Sequence, residues 1–270
     1  LAHRNEIGVM TDVTISALVV IHNEAEVLDD CLRRLDWVDE LVVVLDKCND
    51  ESKAIAERYS ARLLEGSWEI EGQRRNKGIA SCRSDWILEV DADEWITPKL
   101  AAEIRSTIQQ PKYDVYNLKI ANYIGGKLIT HGWGGGSFGK LAYIGLFRKG
   151  VKSWGIQRLH PHLNVTGSES PTDLKNPVIH HLYTDFSEML QHLDRYTTMR
   201  ARDLVDNNEV TTLGDAFRKF LSRFYKVYFC RRAYKEGGYG FMIAICAALY
   251  PLISIIKAIY EEQPQKHAAN

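Results

Sequence analysis

Apolar, β-branched runs that alternate with helical periods constrain the first hundred residues of this chain more than any other feature. Val13 to Ile21 and Leu41 to Leu45 are nearly all apolar. That is the pattern of strands buried on both faces. Between and after them the apolar residues change to helical spacing: Val27, Leu28, Cys31, Leu32 and Leu35, then Ala54, Ile55, Ala56 and Tyr59 behind an Asp50 that can cap the helix. Arg62 to Leu64 begins a third strand, Gly72 to Cys82 reads as a helix and Trp86 to Val90 as a fourth strand. Pro98 then opens a helix running through Ile104 to Ile108. This alternation predicts an α/β fold: a mainly parallel sheet with right-handed crossovers, flanked by helices.

In such sheets ligands bind beyond the carboxyl ends of the strands. Polar residues gather there: His22-Asn23-Glu24 after the first strand, Asp46 to Asp50 after the second, and Asp91-Ala92-Asp93-Glu94 after the fourth. Two carboxylates two residues apart at a strand end suit a hard divalent cation, magnesium or manganese, which takes oxygen ligands and shares them with substrate phosphates. Such a cation can neutralise a diphosphate leaving group. Taken alone, the same pair would serve as an acidic cap on the next helix.

The rest of the chain narrows the reading. A formal net charge of -1 over 270 residues argues against a general nucleic-acid binder. Five scattered cysteines without zinc-ligand spacing read as reduced thiols in a cytoplasmic compartment, where Asn164-Val165-Thr166 is a chance sequon. Leu1 to Val9 read as an expression remnant ahead of Met10 and carry no weight in the fold. Residues 10–112 read as one α/β half. Residues 113–185 read as a smaller mixed sheet with acceptor loops, broken by Gly125-Gly126 and by the stretch Gly132 to Gly139.

Residues 186–270 read as helical. Phe186 to Val205 has a helical period, with Met189, Leu190, Leu193, Tyr196, Thr197 and Leu204 on one stripe. Asp215 to Glu236 carries seven basic residues against two acids, interleaved with Phe217, Phe220, Phe224, Tyr225, Tyr228 and Phe229, and Gly237 to Ile256 carries no charge. A basic-aromatic helix followed by an apolar one predicts an appendage that meets an anionic membrane surface, in-plane or shallowly re-entrant. A helix packed on the protein itself is the plainer alternative.

Several landmarks in order resemble the family 2 glycosyltransferases of GT-A (Rossmann-like) fold: Val19-Val20-Ile21-His22-Asn23-Glu24, Val42-Val43-Val44-Leu45-Asp46 with Asp50, Arg75-Asn76-Lys77-Gly78, and Asp91-Ala92-Asp93-Glu94-Trp95. Later pieces, His131-Gly132-Trp133, Leu146 to Gly150, Leu159-His160 and Val178-Ile179-His180, are similar to the lipopolysaccharide inner-core β-glucosyltransferase branch. The resemblance implies that Asn23 and Glu24 lie by the nucleotide and that Asp46 accepts a hydrogen bond from the base. It implies that Arg75 lies near the nucleotide, with Arg74 at the surface. Asp91 would contact ribose or metal, Asp93 would be the principal metal ligand, and His180 a further ligand or phosphate contact.

The activity implied is a single inverting displacement: a hexose, by default glucose, passes from a nucleotide-sugar, by default UDP-linked, to a lipopolysaccharide-core or other envelope glycolipid acceptor. The place implied is the inner face of the bacterial inner membrane. The oligomeric state stays open. The chain departs from the branch where Val-His-Glu is common and it reads Leu159-His160-Pro161. Proline cannot take a proton, so His160 is the candidate general base, with Glu169 and Asp173 as alternatives. Donor choice would rest on loops near Trp133 to Gly139 and Trp154. Two other readings compete. A sugar-phosphate nucleotidyltransferase would need a basic Gly-rich loop where His22 to Glu26 stand. A degenerate scaffold or carbohydrate-binding protein would have no need of Asp46, Asp91 and Asp93.

Overall fold

The computed structural model describes residues 12–133, 140–157 and 162–262, and all structural statements concern these. The chain divides into two compact units. Unit 1 comprises Leu1–Ile120 and Ala142–His180, and unit 2 comprises Ala121–Leu141 and His181–Asn270, so the segment 113–185 is shared between them.

Unit 1 follows the alternation in the sequence: β1 (Ile15–Ile21), α1 (Ala25–Leu32), β2 (Glu40–Asp46), α2 (Ser52–Arg58), β3 (Arg62–Gly66), α3 (Glu71–Ser81), β4 (Trp86–Val90), β5 (Glu94–Trp95) and α4 (Pro98–Gln109). β1 pairs in parallel with β2 on one side (Leu18 opposite Val42) and with β4 on the other (Leu18 opposite Glu89), and β3 lies outside β2. Successive side chains of β1 serve opposite faces. Ile15, Ala17, Val19 and Ile21 meet Leu28, Leu32 and Ile104, whereas Leu18 and Val20 meet Ile79. This explains the unbroken apolar run, because helices cover both faces. α3 lies so close to the sheet that a β-carbon on Gly78 would come within 2.5 Å of Leu18 Cδ1. Pro98 opens α4 as expected, and Thr97 caps it by accepting from the Leu100 N–H at 3.2 Å.

β6 (Val115–Ile124), the short β7 (Lys127–Leu128) and β8 (Ala142–Arg148) fall in the segment read as a smaller mixed sheet. Instead β8 pairs antiparallel with β4, and β6 pairs antiparallel with β8. The physical reason is the open edge of β4, which β8 closes with Leu146 opposite Leu88. A small antiparallel pair, β9 (Lys152–Trp154) with β10 (Leu163–Val165), stands apart. β11 (Val178–Tyr183) sets His180 opposite Glu94 of β5.

Unit 2 is built on α5 (Phe186–Asp206), α6 (Leu213–Tyr225) and α7 (Gly238–Lys257). Asp185 and Thr212 cap α5 and α6, accepting from the Glu188 and Asp215 N–H groups. The expected single helix from Asp215 to Glu236 does not continue. It loosens into a π turn at Lys226–Cys230, reverses at Arg232 (φ 58) and closes as a 3-10 turn, Ala233–Glu236. The reversal brings α7 back against α6, where α7 also packs on α5. Gly240 permits the return, since a β-carbon there would fall 1.7 Å from the Ala233 carbonyl oxygen. Ile243, Ala244, Cys246, Ala247 and Ala248 are buried there. The continuous helix Gly238–Glu262 is long and apolar enough to cross a bilayer, but half of its apolar window is buried within the protein.

Candidate active site at the ends of β1, β2 and β4

The strand order β3-β2-β1-β4 creates a switch point between β1 and β4. From β1 the chain winds outward to β2 and β3, then returns to the far side of β1. The loops after β1 and β4 therefore lie side by side at the carboxyl ends of their strands, where such sheets bind ligands. Glu24 follows β1, and Asp91 and Asp93 follow β4.

After β1 the chain turns sharply. Asn23 takes a left-handed backbone (φ 56) that asparagine tolerates well. Its Oδ1 accepts from the Asn49 N–H at 2.8 Å, and the His22 Nδ1 lies 2.6 Å from the Asp46 carbonyl oxygen. The loops after β1 and β2 are thus tied together. Asp50 strengthens the tie: its carboxylate accepts from the Ala25 N–H at 3.0 Å and the Ser52 N–H at 3.1 Å, serving the first turns of both α1 and α2.

Asp46 is buried at the end of β2. Its Oδ1 accepts from the Trp68 N–H and its Oδ2 from Arg74 Nη1, both at 2.9 Å. Arg74 was expected at the surface, but it folds back onto this carboxylate and leaves its Nε buried without a partner among the described residues. Arg75 turns the other way. Its Nε meets Glu71 at 2.8 Å, Nη1 meets Glu89 at 2.7 Å and Nη2 meets Asp91 Oδ1 at 3.0 Å. Burial alone would lower Arg75, but the three carboxylates hold it well above its ordinary range. Glu89 in turn receives Lys152 Nζ at 2.5 Å and Trp154 Nε1 at 3.2 Å. Burial opposes the charge of Glu89, yet Lys152 and Arg75 outweigh it and keep the carboxyl below its usual value.

Asp93 Oδ2 lies 3.1 Å from His180 Nε2, a contact made by the pairing of β5 with β11. Burial pulls His180 down, but the hydrogen bond and charge of Asp93 leave it raised. Glu94 accepts from the Tyr143 hydroxyl at 2.6 Å and from the Asp91 N–H at 3.1 Å. Burial first, then the charges of Asp91 and Asp93, push Glu94 up to about 8. Burial, followed by the charges of Asp93 and Asp91, pushes Glu24 up to about 7. Negative charge is crowded here.

Among the described residues no group of three or more His, Cys, Asp and Glu side chains stands ready to hold a metal. His160 and Pro161 lie outside the described residues, as do 134–139 of the Gly-rich stretch. Glu169 is exposed and Asp173 half-buried on the loop before β11.

Glu89, Lys152, Tyr143 and the inward turn of Arg74 were missed from the sequence. One signal was available: Glu89 is the lone charge in the apolar strand Trp86 to Val90. Lys152 had no such flag.

The family model described as glycosyl transferase family 2 matches residues 16–157, just over half of the 270. The chain belongs to that family. An uncharacterized glycosyltransferase of Rickettsia felis is 23% identical over 262 residues, covering 90% of this chain and 88% of its own. The lipopolysaccharide core biosynthesis glycosyltransferase LpsC of Rhizobium meliloti is 21% identical over 266 residues, covering 95% of each. A TPR repeat-containing protein of Synechococcus elongatus is 38% identical over 100 residues, and this chain spans only 25% of its length. Among solved structures, S. aureus TarS in complex with UDP-GlcNAc aligns at a TM-score of 0.38 and 22% identity, over 44% of this chain and 38% of its own.

Proposed function

We propose that this protein is a metal-dependent inverting glycosyltransferase. In this reading it moves a hexose, by default glucose from UDP-glucose, to a lipopolysaccharide-core or related envelope glycolipid at the cytoplasmic face of a bacterial inner membrane. Family membership supports the transferase class, and the likeness to LpsC along nearly the whole chain supports the acceptor class. The observation that carries the reading furthest is Glu24, whose burial beside the charges of Asp93 and Asp91 pushes it up to about 7. A divalent cation shared with a diphosphate would relieve the charge repulsion there.

Each residue has a task in this reading. Asp46, held by the Trp68 N–H and Arg74, accepts from the base. The unpartnered Arg74 Nε beside it is a buried donor that a bound nucleotide would satisfy. Asn23 shapes the loop after β1 on the nucleotide side. Asp93 and His180 would hold the cation, and Asp91, tied through Oδ1 to Arg75, would contact ribose or metal. When bound, the cation would stabilise the departing diphosphate. A base must take the acceptor hydroxyl proton as the oxygen attacks from the opposite face, and His160 remains the candidate.

Calorimetric titration with UDP, GDP and a dTDP analogue, each with manganese and with chelator, tests the donor site. One nucleotide is expected to bind tightly and only with metal. Asp93→Ala is expected to abolish both that binding and transfer while leaving the circular dichroism unchanged. Metal-independent binding, or full activity in Asp93→Ala, overturns the assignment.

A further inference from the structure

The membrane expectation came from the basic-aromatic helix and the apolar one together, and in the structure a long row of exposed apolar side chains lies on the first of these, α6. Leu213, Phe217, Leu221, Tyr225 and Phe229 follow one another at four-residue steps along α6 and the π turn, and each is 42–61% exposed. Residues at such steps form a ridge on a helix surface. The Tyr225 and Phe229 rings lie 5.4 Å apart, and Tyr234 and Phe241 are exposed as well. Scattered exposed apolar residues are ordinary, but a continuous row of aromatic and leucine side chains marks an interaction surface.

The charge around the row is one-sided. Arg218, Lys219, Lys226, Arg232 and Lys235 are exposed. Of the two acids between Asp215 and Glu236, neither opposes them freely. Asp215 lies 3.6 Å from Arg218 and sits in the capped first turn of α6. Glu236 is buried and accepts from the N–H groups of Thr130 and His131, at 3.0 and 2.9 Å, and from the Thr130 hydroxyl at 2.8 Å. Arg223 is turned inward over the Tyr250 ring. The surface is therefore aromatic and cationic.

We infer that the outer ridge of α6 and its π turn docks in-plane on an anionic lipid bilayer, with the apolar row at the headgroup boundary and the bases on lipid phosphates. α7 stays in the protein core. A second copy of the chain is a poorer occupant, because a two-fold contact through this ridge would set bases against bases. The inference rests on the proposed function only in that a glycolipid acceptor lies in such a bilayer.

The test uses the full chain sedimented with vesicles of phosphatidylcholine alone, or of phosphatidylcholine mixed with phosphatidylglycerol. Two variants accompany it: the combined Phe217→Ser, Leu221→Ser, Phe229→Ser, and the combined Arg218→Glu, Lys219→Glu. All five positions are exposed, so circular dichroism and UDP binding should match the parent. The parent is expected to sediment with the anionic vesicles and not with the neutral ones, and each variant to bind roughly tenfold more weakly or worse. Undiminished binding of the triple-serine variant overturns the inference. So does equal binding to neutral vesicles, or a vesicle-free dimer by light scattering that the serine variant dissolves. UDP binding is read on the same samples, so a failure of the donor site is recognised separately from a failure of docking.

Discussion

Removing one charge from the buried pair beneath the acidic loop, and then both, should give opposite results. Lys152 Nζ and Glu89 Oε2 are 2.5 Å apart, with side chains only 1% and 3% exposed. Glu89→Gln leaves the Lys152 ammonium enclosed without a counter-charge, and breaking such a pair costs about 3–5 kcal/mol. For a chain of this size, at roughly 2–4 °C per kcal/mol, the midpoint of thermal unfolding should fall by about 10 °C. Glu89→Gln combined with Lys152→Met removes the enclosed charge. The glutamine oxygen can still accept from Arg75 Nη1 and Trp154 Nε1 as Glu89 Oε1 does now. Replacing a buried pair by neutral groups is often neutral or favourable by about 1–4 kcal/mol. Against that, the Ile144 carbonyl loses its 2.6 Å donor from Lys152, at a cost of about 1–3 kcal/mol. The double variant should therefore unfold within about 2 kcal/mol of the parent. Acid titration adds a check of sign. Glu89 is held below the ordinary carboxylate value of 4.5. Its contribution is present above that pH and lost as pH falls through the lower folded value. The parent should lose more stability on acidification than the double variant. Differential scanning at several pH values measures all three proteins. A double variant as weak as the single one, or a single variant as stable as the parent, refutes the reasoning.

Two further outcomes can be measured on the same protein. Gly78→Val should destabilise by about 1–3 kcal/mol in urea unfolding, because its branches would press Leu18 and Val44. Glu24, raised to about 7, holds a proton near neutrality that a bound cation should expel, so metal-UDP affinity should rise as pH climbs through that value. Calorimetry in buffers of different ionisation enthalpy reads the released proton, and a heat independent of buffer rules out the coupling.

Local pattern carries what it can encode, and the α/β alternation, the strand ends and the Asp91/Asp93 pair were legible for that reason. Each depends on residues within a few positions of one another: unbroken apolar runs, helical stripes, Pro98 at a first turn. The contacts that finish the site are long-range. His180 reaches Asp93 across 87 residues and Lys152 reaches Glu89 across 63. Nothing near Lys152 announces its partner, and His180 is singled out only through the family resemblance. The same limit hid the continuation of the sheet, since β8 joins β4 through a pairing that no local periodicity specifies.

The helices of unit 2 illustrate a different limit. Hydropathy reports that a side chain leaves water, and a lipid bilayer and a protein core satisfy it equally. Gly237 to Ile256 is the more apolar segment, but α5 and α6 cover much of it, with Ile243, Ala244, Cys246 and Ala248 fully buried. α6 is less apolar and keeps its leucine and aromatic row outside. Once the buried side chains are subtracted, a continuous apolar row remains on the amphipathic helix beside the hydrophobic one. In the docking inferred above, the bases around that row keep it soluble before it meets lipid, whereas an uncharged helix such as α7 is stable in water only when covered.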